Sequence, residues 1–201
     1  MQMQTLYLAC GALARELIDL SEAYGWQDSI KITCLPASWH NYPEKIAPAL
    51  EKKIKQAKAS GSYEKIFVLY GDCGTGGILD EMLQREQIER IQGAHCYEFF
   101  AGGPNFSKMV EEEPGTFFLT DYLTRHFDRL IIKGLGLDRY PQLQDSYFGN
   151  YRNLVYLAQK EDETLKSRAA KAAMRLGLSF EYRYCGYGDM ETFVKGNQWH
   201  N

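Results

Sequence analysis

The chain has 201 residues, is 45% hydrophobic and 24% charged, and carries a formal net charge of −3. These values suit one globular domain over residues 1–201 with a full core. They exclude an electrostatic footprint for nucleic acid, and no apolar run nears the roughly 20 residues needed to span a bilayer.

Thr5 to Cys10 is an apolar run that predicts a buried strand. Leu6-Tyr7-Leu8-Ala9-Cys10 imitates the end of a lipoprotein signal, yet the basic leader is missing and the apolar run is too short. The expectation is a cytoplasmic chain. Gly11 opens a helical pattern that runs to Tyr24, with Leu13, Leu17 and Leu20 on its apolar face. Ile30 to Leu35 reads as a second strand, ended by Pro36. A loop with Trp39, His40 and Asn41 follows, and Pro43 starts a helix to about Ser60.

Ile66 to Tyr70 predicts a third strand. It enters Gly71-Asp72-Cys73-Gly74-Thr75-Gly76-Gly77, and an amphipathic helix leaves that turn and runs to about Gln87. Ile88 to Gln92 predicts a fourth strand, ending in Gly93-Ala94-His95-Cys96. Phe106 to Glu112 reads as a short helix, and Phe117 to Lys133 as one long helix with apolar residues at Phe118, Leu119, Tyr122, Leu123 and Phe127. Asp138 to Asn153 is aromatic without a period, a packed lid or a short helix. Leu154 to Ala158 is a fifth strand, Glu163 to Leu176 a helix, and Ser179 to Tyr184 a sixth strand before Cys185-Gly186-Tyr187-Gly188 and a tail helix.

Strand and helix patterns alternate, which predicts an α/β fold. The expected architecture is a mostly parallel sheet flanked by helices, a flavodoxin- or Rossmann-like three-layer sandwich. Ligands of such sheets bind at the C-terminal ends of the strands. That edge would gather Cys10 and Gly11, His40, Asp72 and Cys73, His95 and Cys96, Gln159, and Cys185 with Tyr187.

The five cysteines, Cys10, Cys34, Cys73, Cys96 and Cys185, are odd in number and scattered. That favours free thiols, metal ligands or catalysis over a disulfide framework. Cys73 lies where a helix N-terminus should stabilise a thiolate, with Asp72 beside it as proton acceptor or ligand orienter. The bland alternative is an inert buried cysteine in a tight turn. The amides of Gly71, Gly74, Thr75, Gly76 and Gly77 form a candidate cradle for a cofactor phosphate, joined by Gly11 and Tyr187, although the P-loop lysine and the G-x-G-x-x-G spacing are both absent.

Cys10, Cys73 and Cys96 follow the first, third and fourth strands, which are neighbours in a doubly wound sheet. Three thiolates there would suit zinc, with His95 as ligand and His40 as a further ligand or acid/base group. The alternative is separate buried cysteines on core strands. His95 and Cys96 would point to opposite faces of a regular strand, so both serve one site only if the backbone leaves the strand, which Gly93 permits. Cys34 and Cys185 read as core. Tyr140, Tyr147, Phe148 and Tyr151 line a pocket or simply pack.

Several stretches carry a resemblance. They are Ala9-Cys10-Gly11-Ala12-Leu13-Ala14-Arg15-Glu16, Leu35-Pro36 with His40-Asn41, Tyr70 to Gly77, His95-Cys96-Tyr97-Glu98, Glu113 to Asp121, Tyr147 to Tyr151, and Gly186-Tyr187-Gly188. Together they resemble the domain-of-unknown-function 1638 family over nearly the whole chain, with Cys185 where a threonine is expected. The resemblance implies a setting near corrinoid-dependent methyltransferases for methylamines and betaines, and so one-carbon metabolism, without fixing a reaction.

Three function classes follow. The first is a zinc protein acting on a small molecule of one-carbon or corrinoid-linked metabolism through Cys10, Cys73, Cys96 and a histidine. The second is a non-catalytic module that binds a corrinoid, a nucleotide-like cofactor, or a methyltransferase or corrinoid-protein partner. The third is a metal-free enzyme with Cys73 as nucleophile.

Overall fold

A computed structural model describes residues 4–198. Its elements begin with β1 (Gln4–Cys10), α1 (Ala14–Ala23), β2 (Ile30–Leu35), α2 (Ile46–Ser60), β3 (Tyr63–Leu69), α3 (Ile78–Glu86) and β4 (Glu89–Arg90). They continue with α4 (Glu98–Ala101), α5 (Gly103–Glu112), β5 (Thr116–Leu119), α6 (Asp121–Arg125), α7 (Gln144–Phe148), β6 (Asn153–Ala158), α8 (Glu163–Leu176), β7 (Ser179–Tyr184) and α9 (Gly188–Gln198). Two units are distinguished: the described residues up to Phe99 together with those from Met190 onward, and Phe100–Asp189.

The first unit holds a parallel sheet in the order β2-β1-β3-β4. β1 is central, and Leu6 to Cys10 are all buried, the continuous apolar run that a strand covered on both faces requires. Ala9 pairs with Cys34 on one side and Leu69 on the other, so Cys10 comes level with the end of β3. Leu17 and Leu20 of α1, Leu50 and Ile54 of α2, and Leu79 and Leu83 of α3 fill the core. α9 returns to this sheet: Gln198 Nε2 donates to the Tyr7 hydroxyl at 2.9 Å, and Phe193 packs edge-on against Phe67.

Arg90 fastens the short strand β4. It is buried, and its guanidinium makes a paired contact with Asp80 of α3 at 2.5 and 2.8 Å. The remaining nitrogen donates to the carbonyls of Ile91 (2.8 Å), Tyr70 (3.3 Å) and Gly93 (3.4 Å). One cation therefore satisfies the backbone oxygens where β3 and β4 run out into loops.

The second unit holds a parallel sheet in the order β5-β6-β7. Leu119, Leu154 and Tyr156 of the sheet pack with Leu165, Ala169 and Leu176 of α8. Asp162 caps α8 by accepting the Leu165 amide at 3.0 Å. At this sheet's C-terminal edge the buried Asp121 carboxylate accepts from the Tyr156 hydroxyl (2.7 Å) and the Gln159 amide (3.1 Å) and faces Arg125 at 3.5 Å. Burial, then Asp121, raises the Tyr156 pKa.

The expectation of an α/β chain with parallel strands flanked by helices is met. The strands are shared between two sheets, so Gln159 and Cys185 follow strands of the second sheet and not of the first. The long helix expected over Phe117 to Lys133 is instead β5, then α6, then a π-helical turn over Asp128–Lys133. Thr120 makes the break: its hydroxyl accepts the Leu123 amide at 3.3 Å, an N-cap that restarts the backbone as helix. The fourth strand shrinks to Glu89–Arg90. Cys34 lies exposed on the edge strand β2, and Cys185 is only half-buried, so neither is core. Among the described residues no helix is long and apolar enough to cross a membrane.

Replacing Arg90 by Ala removes the buried cation and takes this donor from the Tyr70 and Ile91 carbonyls. Urea unfolding should show a loss of about 3 kcal/mol. A loss no larger than that of an exposed arginine would contradict this role.

Candidate functional site

Three strands of the first sheet deliver the site. β1 ends at Cys10, β3 runs out through Tyr70 and Gly71 to Cys73, and β4 runs out through Gly93 to His95 and Cys96. Pairing continues beyond the strands: the Asp72 amide donates to the Gly93 carbonyl at 3.0 Å, and the Cys73 amide to the Ala94 carbonyl at 2.8 Å. Two loops are thus zipped together as they leave the sheet. Gly71 allows their close approach, because a Cβ there would lie 2.9 Å from the backbone of His95. Cys73 itself takes a left-handed backbone with φ of 48°, uncommon for a residue with a side chain and a mark of local constraint.

The glycine-rich turn works differently from its sequence reading. The Asp72 carboxylate accepts from the Thr75 hydroxyl (2.6 Å) and from the amides of Gly77 (3.0 Å), Gly74 (3.2 Å) and Gly76 (3.2 Å). The seat expected for a cofactor phosphate is filled by the chain's own anion, and the amides of Gly74, Gly76 and Gly77 already have an acceptor. The Thr75 hydroxyl first, and then these amides, hold the Asp72 pKa below the usual carboxylate range. Asp72 therefore ties the turn together just before α3. Gly11 likewise serves packing: a Cβ there would meet the Leu35 carbonyl at 2.9 Å.

The sulfurs do converge. Cys73 Sγ and Cys96 Sγ are 3.5 Å apart, and Cys10 lies near enough to Cys96 for its pKa to be lowered by it. His40 and His95 both lower the Cys73 pKa, and their rings lie 6.3 Å apart between centroids. His95 stacks on Tyr97 at 4.9 Å. The Cys96 thiol stays protonated, its pKa raised well above normal, first by Cys10 and then by Cys73. Cys96 is in turn the largest influence lowering Cys73, to about 3, with His40 and His95 adding to it against the cost of burial. Cys10 is lowered first by Cys96 as well. The His40 pKa is raised, first by its bond to Cys73, which supplies a counter-charge.

Among the described residues the buried His95 Nδ1 has no hydrogen-bond partner, and the buried Tyr70 hydroxyl lies beside Cys10. Tyr70 was read from the sequence only as the end of an apolar strand. Its signal was position, since it directly precedes the glycine that lets the loops meet.

Five expected groups are thus brought together: Cys10, Cys73, Cys96, His40 and His95. Cys185 and Tyr187 belong to the second unit and are described with it. The five groups meet pairwise, from Cys10 through Cys96 to Cys73 and the imidazoles. Among the described residues no three or more His, Cys, Asp or Glu side chains are set to hold a metal ion.

Residues 34–194 match the family described as Protein of unknown function (DUF1638), and the chain belongs to that family. Cys73, Cys96, His40 and His95 fall inside the matched span, and Cys10 precedes it. No curated protein and no solved structure matches the chain.

Replacing Asp72 by Ala should cost about 1–2 kcal/mol of stability through the lost cap, measured by urea unfolding. The lowered pKa means that this contribution is in place above the usual carboxylate range and fades as acid protonates the group. Alkylation of Cys73 should be unaffected in this variant; a large fall would restore a chemical role to Asp72. Gly71→Ala should lower stability and also slow Cys73 alkylation, because the added Cβ drives the His95 backbone away.

Proposed function

We propose that this chain carries out thiolate chemistry on a small electrophilic molecule, with Cys73 as the reactive sulfur. The observation that supports it is the Cys73 sulfur itself, buried 3.5 Å from Cys96 Sγ, with His40 and His95 both lowering its pKa. A thiolate paired with an imidazolium is the activated form of cysteine, and a constrained backbone fixes its direction. Cys96 holds the charge by donating its proton.

In the step proposed, the Cys73 lone pair forms a sulfur–carbon bond while the electrophile's bond to its leaving group breaks. The leaving group takes the electron pair, and His40 is placed to supply a proton. The family resemblance gives the carbon its expected class, a methyl or other one-carbon group. Whether turnover completes on this chain or on a methyltransferase or corrinoid-protein partner is open to the same test with each partner added.

A second reading gives the cluster a soft divalent cation, zinc. Two thiolates on a tetrahedral zinc lie about 3.8 Å apart, given Zn–S bonds of about 2.3 Å. The 3.5 Å separation of Cys73 and Cys96 is near that value, and His95 Nδ1 lacks a partner. Cys10 and one histidine would have to close around the metal, because the present contacts are pairwise. Both readings use the same side chains.

Alkylation by iodoacetamide tests the first reading. A lowered pKa means that the thiolate already exists in weak acid, so the Cys73 rate should change less than about twofold between pH 6 and 8, where a free thiol would gain roughly 80-fold. The fast phase should vanish in Cys73→Ser. A rate that climbs like that of a free thiol would end this reading. Elemental analysis of tag-free protein tests the second: near one equivalent of zinc would favour it, and a trace only would remove it.

A further inference from the structure

Cys96 has no task in that reading beyond donating a proton, yet it is the group nearest the reactive sulfur. Its Sγ lies 3.5 Å from Cys73 Sγ, and a disulfide needs about 2.05 Å. The Asp72–Gly93 and Cys73–Ala94 hydrogen bonds already hold the two backbones side by side. Both cysteines are reduced in this structure. Cys10 is a third cysteine close enough to Cys96 for the two to perturb each other's pKa.

We infer that Cys73 and Cys96 form a reversible disulfide, with Cys73 as the attacking sulfur and Cys96 as the resolving one. The inference rests on the Cys73 thiolate proposed above. The oxidant is a peroxide. The Cys73 thiolate attacks one peroxide oxygen, the O–O bond breaks, and hydroxide leaves, which gives a sulfenic acid on Cys73. The Cys96 sulfur then attacks the Cys73 sulfur, the S–O bond breaks, and the Cys96 proton leaves with the hydroxyl as water. The two sulfurs lose two electrons and the peroxide gains them. The product has no free thiolate, so the thiolate chemistry stops until a dithiol reductant restores it. Cys10 gives the second sulfur a further neighbour, but Cys73–Cys96 is the pair in direct sulfur contact in this structure.

The test uses the full chain, dialysed against a chelator and treated with a few equivalents of hydrogen peroxide. Remaining thiols are blocked and the protein is digested without reductant. Mass spectrometry should find a Cys73–Cys96 linked peptide that dithiothreitol abolishes. In Cys96→Ser the Cys73 sulfenic acid should persist and be trapped by dimedone, an adduct scarce in the native chain. Cys10→Ser should keep the Cys73–Cys96 link. Over-oxidised Cys73 with no linked peptide in the native chain would overturn the inference, as would a link that uses Cys34 in place of Cys96.

The same reduced sample is assayed for Cys73 alkylation. Fast alkylation without the linked peptide overturns the disulfide and leaves the thiolate reading standing. Slow alkylation overturns that reading and this inference with it.

Discussion

Everything at the candidate site depends on burying a negative sulfur. An isolated thiolate away from water is costly, so it exists only where neighbours donate to it or oppose its charge. Cys73 has the Cys96 thiol, His95 and His40 for this purpose. They arrive on two segments: Cys96 and His95 from the loop after β4, and His40 from the short helical loop after β2. The sheet order β2-β1-β3-β4 is what makes those segments neighbours. Arg90 and the Asp72–Gly93 and Cys73–Ala94 hydrogen bonds then hold the β3 and β4 loops at fixed spacing. The chemistry is therefore a product of topology first and of side-chain type second.

Much of this was legible in the residues. The apolar runs of β1 and β3, with a glycine-rich turn and an amphipathic helix after the second, predict parallel strands, and strand order places Cys10, Cys73 and Cys96 on neighbouring positions. The outward bend that lets both His95 and Cys96 serve one site was signalled by Gly93. What could not be read was the use made of the turn's amides. Sequence shows that donors converge, but not whether an outside anion or the chain's own Asp72 receives them. Spacing leaves the two equally open, and only the hydrogen bonds of Asp72 to Thr75, Gly74, Gly76 and Gly77 decide between them.

The second unit shows a different limit. Phe117, Phe118 and Leu119 fit the spacing of the helix that follows them, and periodicity alone merges strand and helix. Thr120 separates them, but a threonine is an N-cap only once the backbone before it is extended. The division of strands between two sheets is equally invisible to local pattern, because β4 and β5 each look like members of one continuous series. At the edge of its own sheet this unit buries the Asp121 carboxylate against Tyr156 and Gln159, so that a polar cluster there is fully occupied by the fold.

The most direct measurement of the central claim is the ionisation of Cys73 itself. The ultraviolet thiolate absorbance of the native chain, less that of Cys73→Ser, should persist from neutral pH well into the acid range, as a Cys73 pKa near 3 requires. A difference that appears only as pH rises through the range of a free thiol would contradict it, and the sulfur proposed to react would then be an ordinary buried cysteine.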